Sequence, residues 1–316
     1  VFLAACLLDP FYPEFPTAID RAFSQARQIP EKDFEKLLLD VVSNPVTKTV
    51  GRLISQRLGR PLQPFDIWYA GFKPKKNMAP EKLDQLVQKR YPNPEAFRKD
   101  LPNILKMLDF SPKQVTFLSE RITVEASRGA GHAMGAMSRD DLAHLRTRVS
   151  STGMDYKGFN IAIHELGHNV EQTFSLYGID HYFLSGVPNT AFTECFAFLF
   201  QGRDLEVLGL KKQTAMEDPE QTLDAFWSTF EIATVALVDM RVWRWMYAHP
   251  GASASEVRRA VTTIAREVWN EFCAPIFGIR DTPILGVYSH MISYPLYLPD
   301  YPLGHLVCFQ IVQHIK

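Results

Sequence analysis

The feature that most constrains this chain is a five-residue segment near its centre, His164-Glu165-Leu166-Gly167-His168, inside a helical apolar pattern over about 158–174. In an α-helix, residues four positions apart differ by about 40° in azimuth and by about 6 Å along the axis. The imidazoles of His164 and His168 can therefore reach one metal ion from one helix face. Glu165 points to a neighbouring face, from which it can reach a water molecule on that ion without binding the ion itself.

This spacing is typical of the H-E-x-x-H helix of zinc peptidases. Zinc binds two neutral imidazoles and a carboxylate, and its fourth position is kept for water, whose pKa falls to about 7. Gly167 removes a side chain beside the predicted ion. Ionisable groups in an apolar helix need partners, and the residues around the motif are apolar: Ile161, Ala162, Ile163 and Leu166. The alternative is a helix whose histidines serve structure alone.

The third ligand is predicted to be Glu194. It lies in a strongly apolar helical segment over about 189–201, which begins near Pro188, and a carboxylate in such a helix needs a cation or a hydrogen-bonding partner. Glu171 shares a helix face with both histidines, but it lies about 10 Å along the axis from His164, too far for easy sharing of one ion. A salt-bridged, purely structural Glu194 is the alternative. The predicted site holds one Zn²⁺ ion through two histidines and one glutamate.

Several segments resemble the thimet oligopeptidase and oligoendopeptidase F family of zinc peptidases. The histidine helix, the Glu194 helix and a His- and Tyr-rich C-terminal loop occur in that family's order, and Phe65–Tyr69 is similar to its tryptophan–aspartate element. The resemblance covers about 59–316. It implies a zincin-like metallopeptidase catalytic domain of the gluzincin type, neurolysin-like in fold, which hydrolyses oligopeptides with Glu165 as general base.

Two related families are alternatives, the angiotensin-converting-enzyme-like and the carboxypeptidase Taq-like peptidases. In the former, an Asp commonly follows the glutamate ligand by four residues and orients a histidine, whereas this chain has Phe198 there. The resemblance therefore favours the oligopeptidase branch and leaves the partner of His164 unidentified. A carboxypeptidase would need a cation for the terminal carboxylate, and the candidates are Arg146, Arg148 and Arg280. A non-catalytic zinc-binding protein is a further alternative, against which the intact Glu165 argues.

The C-terminal loop offers donors for the oxyanion that peptide hydrolysis creates. The resemblance implies that Tyr301 donates to the oxyanion and that His290 and Tyr294 assist, although the family's spacing between these residues is about one residue longer. Tyr297 is predicted to pack, and each tyrosine has the alternative of a purely structural role. We expect Asp281–Gly304 to be mostly loop and Leu306–Ile315 to be helical.

The whole pattern predicts a mainly α fold with a small β-sheet at about 121–149, from strands Arg121–Ser127 and Leu142–Val149. The glycine-rich segment Gly129–Gly135 lies between them, and together with the second strand it could pair with an extended substrate backbone. Hydrophobic residues make up 46% and charged residues 22%, which is ordinary globular composition. We expect residues 1–316 to form a single catalytic region, the C-terminal part of a longer peptidase.

Charge and hydropathy limit the partners. Lys and Arg number 34 and Asp and Glu 35, so the net charge is −1 and nucleic acid is not an expected partner. No apolar run approaches the ~18 residues of a membrane span. The widely spaced cysteines are compatible with a reducing compartment, which favours the cytoplasm. Leu3-Ala4-Ala5-Cys6 resembles a lipoprotein cleavage box, so a periplasmic or lipid-anchored protein is the alternative to a buried helix entered midway.

Overall fold

The computed structural model describes residues 1–73, 79–127, 129, 131–181, 184–187, 189–210 and 219–315. The chain is mainly helical with one small sheet, which confirms the predicted fold class. The α-helices are α1 (Phe2–Leu8), α2 (Ala18–Asp20), α3 (Glu31–Val42), α4 (Val46–Leu58), α5 (Pro80–Arg90), α6 (Pro94–Met107), α7 (Pro112–Ser119), α8 (Tyr156–Gly178), α9 (Ala191–Gln201), α10 (Asp204–Val207), α11 (Pro219–Ala248), α12 (Ala254–Val268), α13 (Ala274–Phe277), α14 (His290–Ser293) and α15 (Asp300–Ile315). Short 3₁₀ and π helices also occur, at Asp9–Phe11, Arg21–Arg27, Pro64–Trp68, Trp269–Cys273 and Ile284–Val287. Within the described ranges, no helix combines the length and apolar character needed to cross a membrane.

The sheet has three strands, β1 (Ile122–Ser127), β2 (His132–Met134) and β3 (Ala143–Arg148), in the order β1-β3-β2. β1 runs parallel to β3, and β2 runs antiparallel to it. β1 and β3 occupy the two predicted strand segments, whereas β2 was not predicted and lies in the glycine-rich segment. Ala130 of that segment and Pro188, the predicted start of the Glu194 helix, lie outside the described residues.

The chain divides into two compact units. The first unit comprises Val1–Pro74, Asn189–Ala191 and Met216–Phe309, and the second comprises Lys75–Pro188, Phe192–Ala215 and Gln310–Lys316. The core of the first unit is built on α11, whose middle turns are buried on all sides. A helix that is apolar around its whole circumference belongs in the interior. The interpretation of 1–316 as one catalytic region stays a prediction.

The core of the second unit packs α8 against β3. Phe159, Ala162 and Ile163 of α8 are fully buried, as is Leu145 of β3. The helix begins at a strong N-cap, because the Asp155 side chain accepts the backbone N–H of Gly158 at 2.7 Å. This fixed start and the buried face set the rotation of α8 about its axis, and with it the direction in which the two histidines point, about two and a half and three and a half turns beyond Asp155.

The C-terminal region is more helical than predicted. Asp281–Gly304 contains the short helix α14, and α15 starts at Asp300 rather than at Leu306. Pro302 does not prevent this, because it lies in the first turn of α15, where a missing N–H breaks no intrahelical hydrogen bond. Tyr301 therefore lies in a helix and not in a loop.

Candidate metal centre

His164 and His168 lie one turn apart on α8, and their rings face each other edge to face at 4.9 Å between centroids. His168 is buried, and only 15% of the His164 side chain is exposed. The helical period therefore brings the two imidazoles together, as the sequence predicts. The third predicted ligand lies on a different helix, α9.

Glu194 lies in the first turn of α9 and is 2% exposed. Its Oε2 lies 3.5 Å from Nε2 of His164, and its Oε1 lies 3.7 Å from Nε2 of His168. The possible ligand atoms of these three residues all lie within 4.8 Å of one another. Among the residues that the structure describes, they are the one group of three or more His, Cys, Asp or Glu side chains that could hold a metal ion. We refer to His164, His168 and Glu194 as the metal group.

The close approach of α9 to α8 depends on Gly167. A Cβ at this position would lie 2.7 Å from Cα of Ala197 and 2.9 Å from the carbonyl oxygen of Phe196. Backbone atoms cannot yield as a side chain can, so any larger residue would push α9 away. Gly167 was expected to leave space beside the predicted ion; in the structure it makes room for the helix that carries Glu194.

The donor set of the metal group suits a metal ion such as zinc. Ligand bonds of about 2.0–2.2 Å in tetrahedral geometry put ligand atoms about 3.3–3.6 Å apart. The measured separations of 3.5 and 3.7 Å are close to that spacing, and they are longer than ordinary hydrogen bonds. Two imidazole nitrogens and a carboxylate oxygen are also the ligand types that zinc prefers.

The histidines differ in their proton affinity. Burial lowers the pKa of His168 to about 4, although Glu194 acts in the opposite direction. This imidazole is therefore neutral at pH 7, which is the form that binds a metal. Burial also lowers the pKa of His164, but Glu194 and Glu165 outweigh it, so its pKa lies above the ordinary value.

Glu165 is a separate buried carboxylate beside the metal group. Burial raises its pKa to about 7, against the opposing effect of His164, and the charge of Glu194 raises it as well. The carboxylate faces the edge strand β2, where the backbone N–H of Ala133 donates to it. A Cβ at Gly131 would lie 2.9 Å from its Oε1. A carboxyl group with a pKa near neutrality can both accept and return a proton.

The second nitrogen of His164 has a partner that the sequence analysis did not find. Its Nδ1 lies 3.1 Å from Oε1 of Gln201, the last residue of α9. The ring of Phe198 packs edge to face against the imidazole, at 5.4 Å between centroids. Phe198 occupies the position at which angiotensin-converting-enzyme-like peptidases have the Asp that orients a histidine. Gln201 follows Glu194 by seven residues, so both lie on one face of α9. That spacing is the signal that could have identified it.

Glu171 is not part of the metal group. Its Oε2 accepts a hydrogen bond from the Thr193 hydroxyl at 2.8 Å, and burial raises its pKa. Two of the three arginines named as candidates for a carboxypeptidase are engaged in ion pairs, and the third, Arg280, is exposed. Arg146 donates to Glu125 at 2.9 Å, and Arg148 donates to Asp155.

The predicted oxyanion donors gather into one cluster in the first unit. The hydroxyl of Tyr301 lies 3.5 Å from Nε2 of His290. Tyr297 packs edge to face between Tyr294 and Tyr301, at centroid distances of 5.4 and 5.5 Å. We call these four residues the aromatic cluster. Tyr294 is its most exposed tyrosine at 65%, and its role, like those of His290 and Tyr301, stays a prediction.

A buried ion pair supports the segment that carries this cluster. Arg27 donates to both carboxylate oxygens of Asp300, at 2.8 and 2.9 Å, and also to the carbonyl oxygen of Leu296. Thr190 donates to the same carboxylate at 2.8 Å. Arg27 and Asp300 are 2% and 1% exposed, and Leu296 has a positive φ of 58°. One side chain therefore fixes the backbone on both sides of Tyr297.

Comparison with known proteins supports the fold. No protein-family model matches the chain, and no curated protein matches it in sequence. A solved structure of a protein proposed to be an oligoendopeptidase F, from Bacillus anthracis str. Ames, matches 90% of this chain with a TM-score of 0.53 and 15% identity. A proposed peptidase from Chlamydophila abortus matches 90% of the chain with a TM-score of 0.53 and 16% identity.

This chain spans less than half of those two structures, 45% and 46% of their lengths. At such low identity the likeness establishes the fold alone. The fold that the resemblance implied, that of the oligoendopeptidase F type of peptidase, is thereby confirmed.

Proposed function

We propose that this protein is a zinc-dependent peptidase that hydrolyses peptide bonds in oligopeptides. The observation that carries the proposal is the buried metal group together with a second buried carboxylate, Glu165, directly beside it. A site that only held a metal for structural reasons would have no use for that additional acidic group, whose burial costs free energy. The similarity in fold to proposed peptidases supports the same conclusion.

His164, His168 and Glu194 would hold the ion. A bound zinc ion supplies Lewis acidity, which polarises the scissile carbonyl and brings the pKa of water towards about 7. Glu165 accepts a proton from the attacking water and then delivers it to the leaving amine. Burial raises the pKa of Glu165 to about 7, which supports a role in which this carboxyl group takes up and returns a proton.

Tyr301, assisted by His290 and Tyr294, is the proposed donor to the oxyanion. The support is chemical: the phenol lies within 3.5 Å of an imidazole nitrogen that can orient it, and a phenol is a good donor to developing negative charge. The proposed substrate contact is β2, which pairs with β3 alone among the described strands. An extended peptide could pair with its other edge with little side-chain preference.

Zinc content and peptide cleavage test this function together. We expect about one zinc ion per chain by elemental analysis, and cleavage of a mixed library of unfolded peptides that stops with a chelator and returns with zinc. Mass spectrometry of the products separates internal cleavage from release of single C-terminal residues, which would indicate a carboxypeptidase. A zinc-loaded protein that cleaves no peptide, or a protein that binds no zinc, would overturn the proposal.

A further inference from the structure

A chain of side-chain amides connects the metal group to a distant buried carboxylate. Gln201, whose Oε1 lies 3.1 Å from Nδ1 of His164, donates through its Nε2 to Oδ1 of Asn160 at 2.7 Å. Asn160 in turn donates through its Nδ2 to Oδ2 of Asp204 at 2.7 Å. All of these residues belong to the second unit, on α8, at the end of α9 and at the start of α10.

Asp204 determines which way the donors and acceptors of these hydrogen bonds point. Its carboxylate is 6% exposed and accepts hydrogen bonds from the Asn160 amide, the Tyr156 hydroxyl and the backbone N–H of Leu205. Because this carboxylate accepts all three hydrogen bonds, Asn160 turns its NH₂ group towards Asp204 and its oxygen towards Gln201.

The orientation of Asn160 fixes that of Gln201, and Gln201 in turn determines what faces the histidine. Because Gln201 faces the oxygen of Asn160, it must present its NH₂ group there and its own oxygen to His164. A neutral imidazole carries its hydrogen on one nitrogen only. If Nδ1 lacked the hydrogen, two acceptors would face each other and a hydrogen bond would be lost. Gln201 therefore holds the ring hydrogen on Nδ1 against the competing Glu194 carboxylate, which lies 3.5 Å from Nε2, and leaves the lone pair of Nε2 for a metal ion.

We infer that Asp204, acting through Asn160 and Gln201, fixes the tautomer of His164 so that Nε2 is the nitrogen presented to the metal. These three are positioning residues, since none is part of the metal group. The inference rests on the proposed function for its purpose, but the tautomer itself is a property of the metal-free protein. In many metal sites a carboxylate or a carbonyl accepts the second ring hydrogen directly, whereas two neutral amides separate the carboxylate from the histidine here.

The first test measures the tautomer without metal. In metal-free protein labelled with ¹⁵N-histidine, the nitrogen shifts are followed as the pH is raised until the His164 ring has lost its second proton, and they then separate a protonated ring nitrogen from a bare one. We expect His164 in the wild type to carry its hydrogen on Nδ1, and Gln201→Leu to lose this preference. Phe198→Leu is the matched control, because it removes a ring contact with His164 but no hydrogen bond.

The second test measures zinc affinity by competition with a chromophoric chelator. Gln201→Leu should weaken zinc binding about 10- to 100-fold, and the nearly isosteric Asp204→Asn should weaken it less. The double variant Gln201→Glu/Asp204→Asn should restore both zinc affinity and tautomer. The new carboxylate at position 201 accepts the hydrogen on Nδ1 of His164, and the Asn160 amide turns over so that its NH₂ group donates to position 201 and its oxygen accepts from position 204. A merely structural link between the helices would show no such rescue.

The outcomes separate this inference from the proposed function. A wild type with the hydrogen on Nε2, or a Gln201→Leu variant with unchanged tautomer and zinc affinity, overturns the inference whatever the protein hydrolyses. Should Gln201→Leu fail to fold, an Asp204→Asn variant with unchanged tautomer and affinity overturns it equally. A wild type that holds zinc with the expected tautomer but cleaves no peptide would refute the function and leave the inference intact.

Discussion

The metal group and the aromatic cluster differ in how their side chains are fixed. Two of the three members of the metal group share one long helix, so their spacing follows from the helical period. The aromatic cluster lies on two helices, α14 and α15, and on the turns between them, held by the ion pair of Arg27 with Asp300. Residues that belong to one regular element can be recognised from sequence spacing, whereas residues fixed by a distant arginine cannot.

The comparison also shows that a shifted pKa does not by itself mark a reactive site. Burial raises the pKa of Glu165 in the second unit to about 7, and it does the same for Glu231 and Asp239 in the first unit. Glu231 accepts a hydrogen bond from Tyr288, which is an ordinary structural contact. Glu165 alone among the three stands beside a group that can hold a metal. The neighbours of a buried acid, rather than its pKa, therefore indicate its role.

The largest expected effect is the loss of metal from Glu194→Ala. This carboxylate is the only anionic member of the metal group, so we expect zinc affinity to fall by more than the ~100-fold that loss of a ligand's hydrogen-bond partner costs, and hydrolysis to fall with it. Glu171→Ala is the control, because its carboxylate contacts Thr193 instead. Elemental analysis that finds zinc lost from the control and retained by Glu194→Ala would mean that the third ligand is wrongly identified.

Glu165→Gln should separate catalysis from metal binding. The amide cannot accept the proton of the attacking water, so kcat should fall by about 10²–10⁴-fold. Zinc content should not change, because Glu165 is not a member of the metal group. Glu171→Gln, on the same helix, should keep its activity. Undiminished cleavage of a quenched fluorescent peptide by Glu165→Gln would exclude this residue as the general base.

Tyr301→Phe tests whether the aromatic cluster takes part in the reaction at all. Removing a single oxyanion donor typically lowers kcat by about 10²–10³-fold with little change in KM. Tyr297→Phe is the matched control, since its ring packs between two tyrosines. Full kcat in both variants would leave His290 or Tyr294 as the donor, and a loss in Tyr297→Phe alone would shift the assignment along the chain.

The smallest effect concerns stability and its dependence on pH. Burial raises the pKa of Asp239 from 3.8 to about 7 in the folded protein. Its ionisation therefore costs no stability below about pH 4, costs progressively more as the pH rises, and reaches its full cost above pH 7. Asp239→Asn removes this cost, so the variant should gain stability relative to the wild type between pH 4 and pH 8, by an amount on the order of a few kcal/mol. Urea unfolding at several pH values measures the difference.

Asp300→Asn is the contrasting variant for that experiment. It leaves the buried charge of Arg27 without its partner, so it should destabilise the protein at pH 8, where Asp239→Asn stabilises it. A stability difference between Asp239→Asn and the wild type that stays constant from pH 4 to pH 8 would show that Asp239 does not retain a proton in the folded state.

Much of the second unit could be predicted from the sequence. The apolar pattern around His164 predicted the helix, and the alternation in Leu142–Val149 predicted β3, because both patterns repeat within one short segment. β2 was not predicted, since three residues among glycines carry too short a pattern. In the first unit, α15 begins at Asp300 rather than at the predicted Leu306, because Pro302 lies in the first turn, where a proline does not break a helix.

By itself, the sequence determined the helix of the two histidines, the identity of Glu165 and the apolar surroundings that make a metal a reasonable partner, because these follow from spacing and composition along one element. Only the tertiary structure decided that α9 approaches closely enough, over Gly167, for Glu194 to join the histidines. It also decided that Gln201, Asn160 and Asp204 form a series of hydrogen bonds that ends at Nδ1 of His164. Such contacts join residues that are distant in the chain, and their distances depend on how the helices pack, which no periodicity records.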